Sequence, residues 1–79
     1  MHVSIHLHGI LRDQLPPGAR GRGTLTLAEN ATVADLLAAL DIQRRVVVSV
    51  NGRARVEPGH VLQDGDEVVA YMPVGGGSI

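Results

Sequence analysis

The segment TVADLLAAL (32–40) constrains the fold of this chain more than any other. Its larger apolar residues recur at i, i+3, i+4 and i+7, which forms one stripe along a helix: Val33, Leu36, Leu37 and Leu40. Thr32 precedes the stripe as a helix N-cap, and Asp35, three residues later, comes close to a capping box. We therefore expect one helix over about residues 32–41, and its apolar face must pack against a second layer of structure.

The remaining segments have the patterns of β-strands, either alternating apolar and polar residues or runs of β-branched residues. These segments are 2–8, 24–27, 45–50, 53–56 and 67–72. Asn51-Gly52 predicts a two-residue hairpin turn between two of them, because both central residues of a type I′ turn need positive φ. The order β-β-α-β-β-β predicts a two-layer α+β domain, in which a mixed sheet of four to five strands packs on one main helix.

Alternation along these strands separates core positions from outward ones. The expected core consists of Val3, Ile5, Leu7, Leu25, Leu27, Val33, Leu36, Leu37, Leu40, Val48, Val50, Leu62 and Val68. Val47, Val69 and Tyr71 are expected to face away from the helix. Apolar side chains at those positions indicate an interface patch, and ordinary exposed apolar surface is the alternative.

Composition excludes several classes of protein. A chain of 79 residues forms one small domain, and without cysteine it has no disulfide, thiolate metal site or iron–sulfur cluster. A net charge of −1 provides no basic field for nucleic acid. No apolar run approaches the roughly 20 residues that cross a membrane, and no signal segment is evident. We expect a cytoplasmic protein that needs no cofactor.

The end of the chain, YMPVGGGSI (71–79), contains three consecutive glycines. Glycine loses the most backbone entropy on ordering and has no side chain to pack. We therefore expect a domain over 1–73 and a flexible tail over 74–79. Fully extended, the tail from Pro73 to Gly77 reaches roughly 15 Å and can enter a channel too narrow for other residues. A frayed terminus is the alternative interpretation.

Other polar residues have simpler structural explanations. His2, His6 and His8 fall on the outer side of the first strand, where solvated histidines are favoured over a metal site. The acidic residues at 64–67 fit a turn built on Gly65, which is expected to be left-handed, better than a calcium site. Arg53, on the predicted edge hairpin, either pairs with acidic groups of a partner or protects an exposed edge.

Four stretches together resemble a known family: LRDQL after the first strand, TVADLLAAL, VSVNGRAR and LQDGDEVVAYMPVGGG. In their order and spacing the chain resembles the ubiquitin-like β-grasp sulfur carriers of the MoaD/ThiS family. That family includes the small subunit of molybdopterin synthase and the sulfur carrier of the thiamine pathway. The chain length and the Leu-Arg pair are more similar to the molybdopterin-synthase branch.

The resemblance implies a carrier that is not itself an enzyme. An E1-like ATP-dependent enzyme would adenylate the carboxylate of Gly77, in the diglycine Gly76-Gly77, and the product would be a thiocarboxylate. A larger subunit, such as the large subunit of molybdopterin synthase, would accept the sulfur. Because Ser78-Ile79 follow the diglycine, the resemblance also implies a metalloprotease that trims them first.

The expected partner-binding residues lie on the sheet and in the tail. They are Arg53, Val69, Tyr71, Pro73, Val74 and Gly75. Two other functions compete with the sulfur carrier. One is a ubiquitin-like modifier that is conjugated to target lysines through Gly77, and the other is a β-grasp interaction module whose tail has no role.

Overall fold

A computed structural model describes residues 1–15 and 17–73 of the chain. Its elements are strand β1 (His2–Leu7), two 3₁₀ helices (Gly9–Gln14 and Pro17–Ala19), strand β2 (Arg22–Thr26), helix α1 (Val33–Ala39), strand β3 (Val47–Val50) and strand β4 (Glu67–Tyr71). A four-stranded mixed sheet packed on one helix confirms the expected α+β, ubiquitin-like β-grasp architecture. None of the described helices is long and apolar enough to cross a membrane.

The sheet places the first and last strands side by side at its centre, in the order β2-β1-β4-β3. β1 pairs with β2 as an antiparallel hairpin and with β4 in parallel, and β3 pairs antiparallel with β4. β4 is therefore hydrogen-bonded on both sides over its length. This pairing gives a rigid base to the segment that follows it.

Helix α1 is capped at both ends by its own sequence. The Thr32 side chain accepts a hydrogen bond from the backbone N–H of Asp35, whose carboxylate accepts the N–H of Thr32, so the capping box is complete. At the other end Asp41 adopts φ 56°, and Ile42 N–H donates to the Leu37 carbonyl at 2.9 Å. This is a Schellman motif with aspartate in the position that usually holds glycine.

The core lies between α1 and the inner face of the sheet. Ten of the expected core residues are buried, and the structure adds Leu11, Ile42, Ala31 and Ala70. Leu25, Leu27 and Leu37 are only partly buried and pack at the edge of the core. They differ from the expectation because Leu25 belongs to the edge strand, Leu27 follows it, and Leu37 lies at the margin of the helix stripe.

The segment 53–56, predicted as a short return strand, does not form one. Asn51 and Gly52 adopt φ 51° and 85°, as the predicted turn requires, and Arg53 pairs with Val50. Regular pairing is interrupted because Arg55 takes φ 59°, which turns the chain out of the extended conformation. Beyond it a single hydrogen bond, from Val56 N–H to the Val48 carbonyl at 3.0 Å, returns to β3. Residues 53–55 are all exposed, so no buried face stabilises a longer strand.

The acidic residues at 64–67 form a braced turn, as expected. Gly65 adopts φ 87°, and Asp64 accepts the backbone N–H of His2 at 2.7 Å. Asp66 is buried and accepts hydrogen bonds from the Asn51 side chain and from Gln63 N–H, both at 2.9 Å. These carboxylates hold neighbouring loops together, which accounts for their clustering without a cation.

Candidate functional site

The candidate site begins where β4 leads toward the glycine tail. The carbonyl of Ala70 accepts the backbone N–H of His8 at 3.0 Å, and Ala70 is only 1% exposed. Met72 still packs against the core, and Pro73 is partly buried. The chain is therefore anchored up to Met72, only five residues before Gly77.

The tail residues that sequence analysis singled out lie outside the described residues. They are Val74, Gly75, Gly76, Gly77, Ser78 and Ile79. Their assigned roles, and the division of the chain at residue 73, stay predictions.

An apolar patch on the outer face of the sheet adjoins this exit. Tyr71 lies opposite Val47, and Val69 lies between Ser49 on β3 and His6 on β1. Val47, Val69 and Tyr71 are all partly buried, and they alternate with buried residues of β3 and β4. The three side chains thus face away from the helix, as alternation predicted, on strands fixed by the sheet.

Beside the apolar patch a shallow groove of about 590 Å³ crosses β2, β1 and β4. Its outward-facing lining is largely polar: Ser4, His6, Arg22, Thr24 and Glu67, with Val69 at one side. The sequence did not predict this groove, because it forms across three strands and their order in the sheet depends on the topology. The outward alternation of β1 was its only signal.

Arg53 is not brought to this site. It is exposed and follows the turn after Val50, whereas Val47, at the other end of β3, pairs with Tyr71. About three residues of extended strand, roughly 10 Å, separate the two ends of β3. The structure therefore groups Val69 and Tyr71 on β4 with Pro73 two residues beyond it, and leaves Arg53 at the opposite end of the sheet.

His6 on β1 and His8 directly after it lie at the margin of the site, whereas His2 is at the other end of the strand. The rings of His6 and His8 are 4.1 Å apart between centroids and tilted by 36°, and His2 Nδ1 lies 3.1 Å from the Thr26 hydroxyl. Partial desolvation, together with the positive charges of His8, Arg22 and Arg12, lowers the pKa of His6. Among the histidine and carboxylate side chains that the structure describes, no three are placed to share a metal ion.

Solved structures share the fold over nearly the whole chain. Small archaeal modifier protein 1 of Haloferax volcanii is 24% identical with a TM-score of 0.74, covering 92% of this chain and 98% of its own. A Pyrococcus furiosus protein assigned as subunit 1 of a molybdopterin converting factor is 23% identical with a TM-score of 0.75, covering 94% and 99%.

A third similar structure comes from a complex. It is a chain of the complex of subunits 1 and 2 of the molybdopterin-converting factor of Helicobacter pylori, 19% identical with a TM-score of 0.63, covering 98% of this chain and 100% of its own. Identities at this level establish the fold alone. A search among curated proteins finds no significant match.

The sequence itself matches the ThiS family over residues 6–77. The match includes the last two residues of β1, all of β2, the helix, the turn at Asn51-Gly52, strand β4 and the three glycines. The family match supports a role as a sulfur carrier. Because the match covers most of its length, the chain belongs to the ThiS family.

Proposed function

We propose that this protein is a sulfur carrier whose working group is the carboxylate of Gly77. The observation that carries the proposal is the extent of the family match, which runs through Gly77 and leaves out Ser78 and Ile79. The anchoring of β4 and Met72 supports it, because the reactive end then needs only a short glycine extension to enter a partner.

The chemistry requires activation, because a carboxylate is a poor electrophile. An oxygen of the Gly77 carboxylate attacks the α-phosphorus of ATP and pyrophosphate leaves. A sulfur nucleophile then attacks the carbonyl carbon of the acyl-adenylate and AMP leaves, so that the C–S bond of a thiocarboxylate replaces the C–O bond to phosphate. The carrier contributes the tethered atom and a docking face, and an E1-like partner contributes the catalytic groups.

The sulfur acceptor in this proposal is a larger subunit of a molybdopterin synthase. The similar Helicobacter pylori complex pairs subunits 1 and 2 of a molybdopterin-converting factor, which supports a partner of this kind. The apolar patch of Val47, Val69 and Tyr71 is the surface that we propose to dock on it. Val74 and Gly75 would enter the partner with the diglycine Gly76-Gly77.

The residues after Gly77 determine when the carrier can react. In a chain that continues through Ser78, the carbonyl of Gly77 belongs to a peptide bond and cannot be adenylated. A metalloprotease that hydrolyses the Gly77–Ser78 bond would release the reactive carboxylate.

The test compares two chains, one ending at Gly77 and one continuing through Ser78-Ile79. Each is incubated with the E1-like enzyme of the host and ATP, and pyrophosphate release is followed. We expect activity only from the chain that ends at Gly77, and intact mass after addition of a sulfur donor should show one O→S exchange. Equal activity of the two chains would contradict the proposed trimming.

A ubiquitin-like modifier is the second candidate, and the similarity to small archaeal modifier protein 1 favours it. A modifier uses the same adenylated glycine but transfers it to an amine. This chain has no lysine, since its seven basic residues are all arginines, so lysine-linked chains of itself cannot form. Mass spectrometry that finds Gly77 in amide linkage to lysines of other proteins would favour this function over the sulfur carrier.

A further inference from the structure

A second groove lies at the end of β1, and its lining is strongly basic. It has a volume of about 520 Å³ and is lined by His6, His8, Arg12, Arg20 and Arg22, with Leu7, Gly9 and Ala19 between them. None of the described residues that line it is acidic. The whole chain has a net charge of −1, so gathering three of its seven arginines here is a local feature. We call this surface the basic groove.

Gly21 builds the basic groove by letting two segments come into close contact. Its carbonyl accepts the backbone N–H of Leu7 at 2.6 Å, and its φ is 78°. A Cβ at this position would collide with the Leu7 carbonyl oxygen and lie 2.9 Å from Cγ of Arg12. Only glycine fits, and its neighbours Arg20 and Arg22 are thereby held close to Arg12.

The positive charges in the basic groove repel one another. The pKa of His6 is lowered first by partial desolvation and then by His8, Arg22 and Arg12, so these cationic groups act on the same ring. Among the side chains that the structure describes, the ion pair found is at the amino terminus, between Met1 and Glu29. An anion bound in the basic groove would relieve this repulsion.

The basic groove lies at the same end of the sheet as the exit of the tail. β1 and β4 run in parallel, Leu7 pairs with Ala70, and His8 N–H donates to the Ala70 carbonyl. The two strands therefore end side by side. A protein that receives the chain beyond Pro73 would also cover the basic groove.

We propose that the basic groove binds a carboxylate-rich segment of the E1-like enzyme that adenylates the tail. This inference rests on the proposed function, and it specifies that the enzyme surface facing the basic groove is negatively charged. Guanidinium groups bind carboxylates through paired hydrogen bonds, and complementary charge speeds association and fixes orientation. The nucleotide of adenylation is a poorer candidate, because Gly77 is seven residues beyond Ala70, up to about 23 Å of extended chain.

The first test uses the protein alone and an end-blocked octaglutamate peptide as the probe. Amide chemical shifts of the ¹⁵N-labelled protein are followed at low salt, and we expect changes at His6, His8 and the 20–22 segment. The double variant Arg20→Gln/Arg22→Gln should bind about fivefold more weakly, since exposed charge pairs contribute modestly. Both positions are exposed, and thermal melting checks the fold.

The matched control is Arg44→Gln/Arg45→Gln, which removes the same charge from exposed residues that lead into β3, at the opposite edge of the sheet. It should change peptide affinity less than twofold. Equal weakening by both double variants would overturn the proposal, because the attraction would then follow net charge alone. Tighter binding of inorganic phosphate or ATP than of the peptide would also overturn it.

The second test uses the E1-like enzyme and chains ending at Gly77. The double variant Arg20→Gln/Arg22→Gln should raise the KM for the carrier about fivefold without changing kcat. Added salt should reduce the difference in KM between this variant and the unmodified carrier, because salt screens the charges. A KM equal to that of the Arg44/Arg45 control would overturn the proposal. If even the unmodified carrier releases no pyrophosphate, the proposed function fails, while the peptide test still decides whether the basic groove binds carboxylates.

Discussion

At the scale of single residues, Gly21 is the position where adding a Cβ should destabilise the fold most. Gly21→Ala introduces a Cβ against the Leu7 carbonyl and places alanine at φ 78°. Left-handed backbone and a lost strand-end hydrogen bond together predict a loss of roughly 2–4 kcal/mol in unfolding free energy. Urea denaturation measures it.

Gly59→Ala is the matched control for Gly21→Ala. Gly59 has no atom within 4 Å of an added Cβ and no positive φ. Alanine there restricts the unfolded chain and should be neutral or stabilising by up to about 1 kcal/mol. Equal losses in both variants would show that Gly21 is not under steric constraint.

His6 makes the folding stability depend on pH in a defined direction. Its pKa is lowered by partial desolvation and by the charges of His8, Arg22 and Arg12, so the unfolded chain binds a proton more readily than the folded one. This group therefore leaves stability unchanged well above pH ~6.5 and reduces it as the pH falls below that value. The melting temperature of His6→Gln should fall less between pH 7.5 and pH 5 than that of the unmodified protein. An identical loss in both proteins would contradict this.

At the scale of elements, helix α1 provides a comparison between two leucines of the same stripe. Leu36 is fully buried, whereas Leu37 is only partly buried. Leu36→Ala should cost roughly 2–5 kcal/mol of unfolding free energy, a large part of the stability of a small domain. Leu37→Ala should cost clearly less, because less of its surface leaves water on folding. Similar costs at both positions in chemical denaturation would contradict the packing described here.

The elements also show where a sequence pattern determines structure and where it does not. Residues 33–39 formed the predicted helix because the stripe and the capping box act locally. Residues 53–56 have strand-like alternation, but residues 53–55 are exposed and Arg55 adopts a left-handed conformation. Only Val56 packs against the edge of the core. Period-2 alternation alone therefore does not specify a strand unless one face gains a partner to pack against.

The same distinction applies to the candidate site. Val69 and Tyr71 could be predicted to face outward, because alternation within one strand needs only the sequence. The basic groove could not be predicted. Arg12 and Arg22 come from different segments without periodicity, and the contact of Gly21 with Leu7 brings them together.

At the scale of the whole molecule, binding by the proposed docking face should be separable from the stability of the fold. Tyr71 lies on the outer face opposite Val47 and is only partly buried, so Tyr71→Ala should leave the thermal stability nearly unchanged. Large aromatic side chains near the centre of an interface commonly contribute about 2 kcal/mol or more. We expect affinity for the larger subunit to fall roughly 30-fold, measured by calorimetry.

Tyr71→Phe is the control for that loss. It keeps the ring and removes only the hydroxyl, so it should retain most of the affinity if apolar contact dominates the interface. Full binding by Tyr71→Ala would show that the outer face of β4 does not contact the partner.

In the proposed function, the reach of the tail links the anchored sheet to the adenylation of its terminal carboxylate. Ala70 and Met72 fix the start of the extension, so each residue removed before the terminal carboxylate withdraws it by about 3.3 Å. A chain ending at Gly76 still presents a glycine carboxylate. It should nevertheless lose at least about a hundredfold in adenylation rate, because displacement of a reacting atom by 1 Å can already cost that much.

Deletion of Val74 in a chain that ends at Gly77 separates reach from terminal sequence. This variant keeps the complete run Gly75-Gly76-Gly77 but is shortened by the same single residue. If reach from the anchored strand limits the reaction, pyrophosphate release should fall in both shortened chains to a similar extent. Full activity of the Val74 deletion beside an inactive Gly76 chain would show instead that the enzyme reads the number of terminal glycines. The anchoring of β4 would then have no bearing on how the carboxylate is positioned.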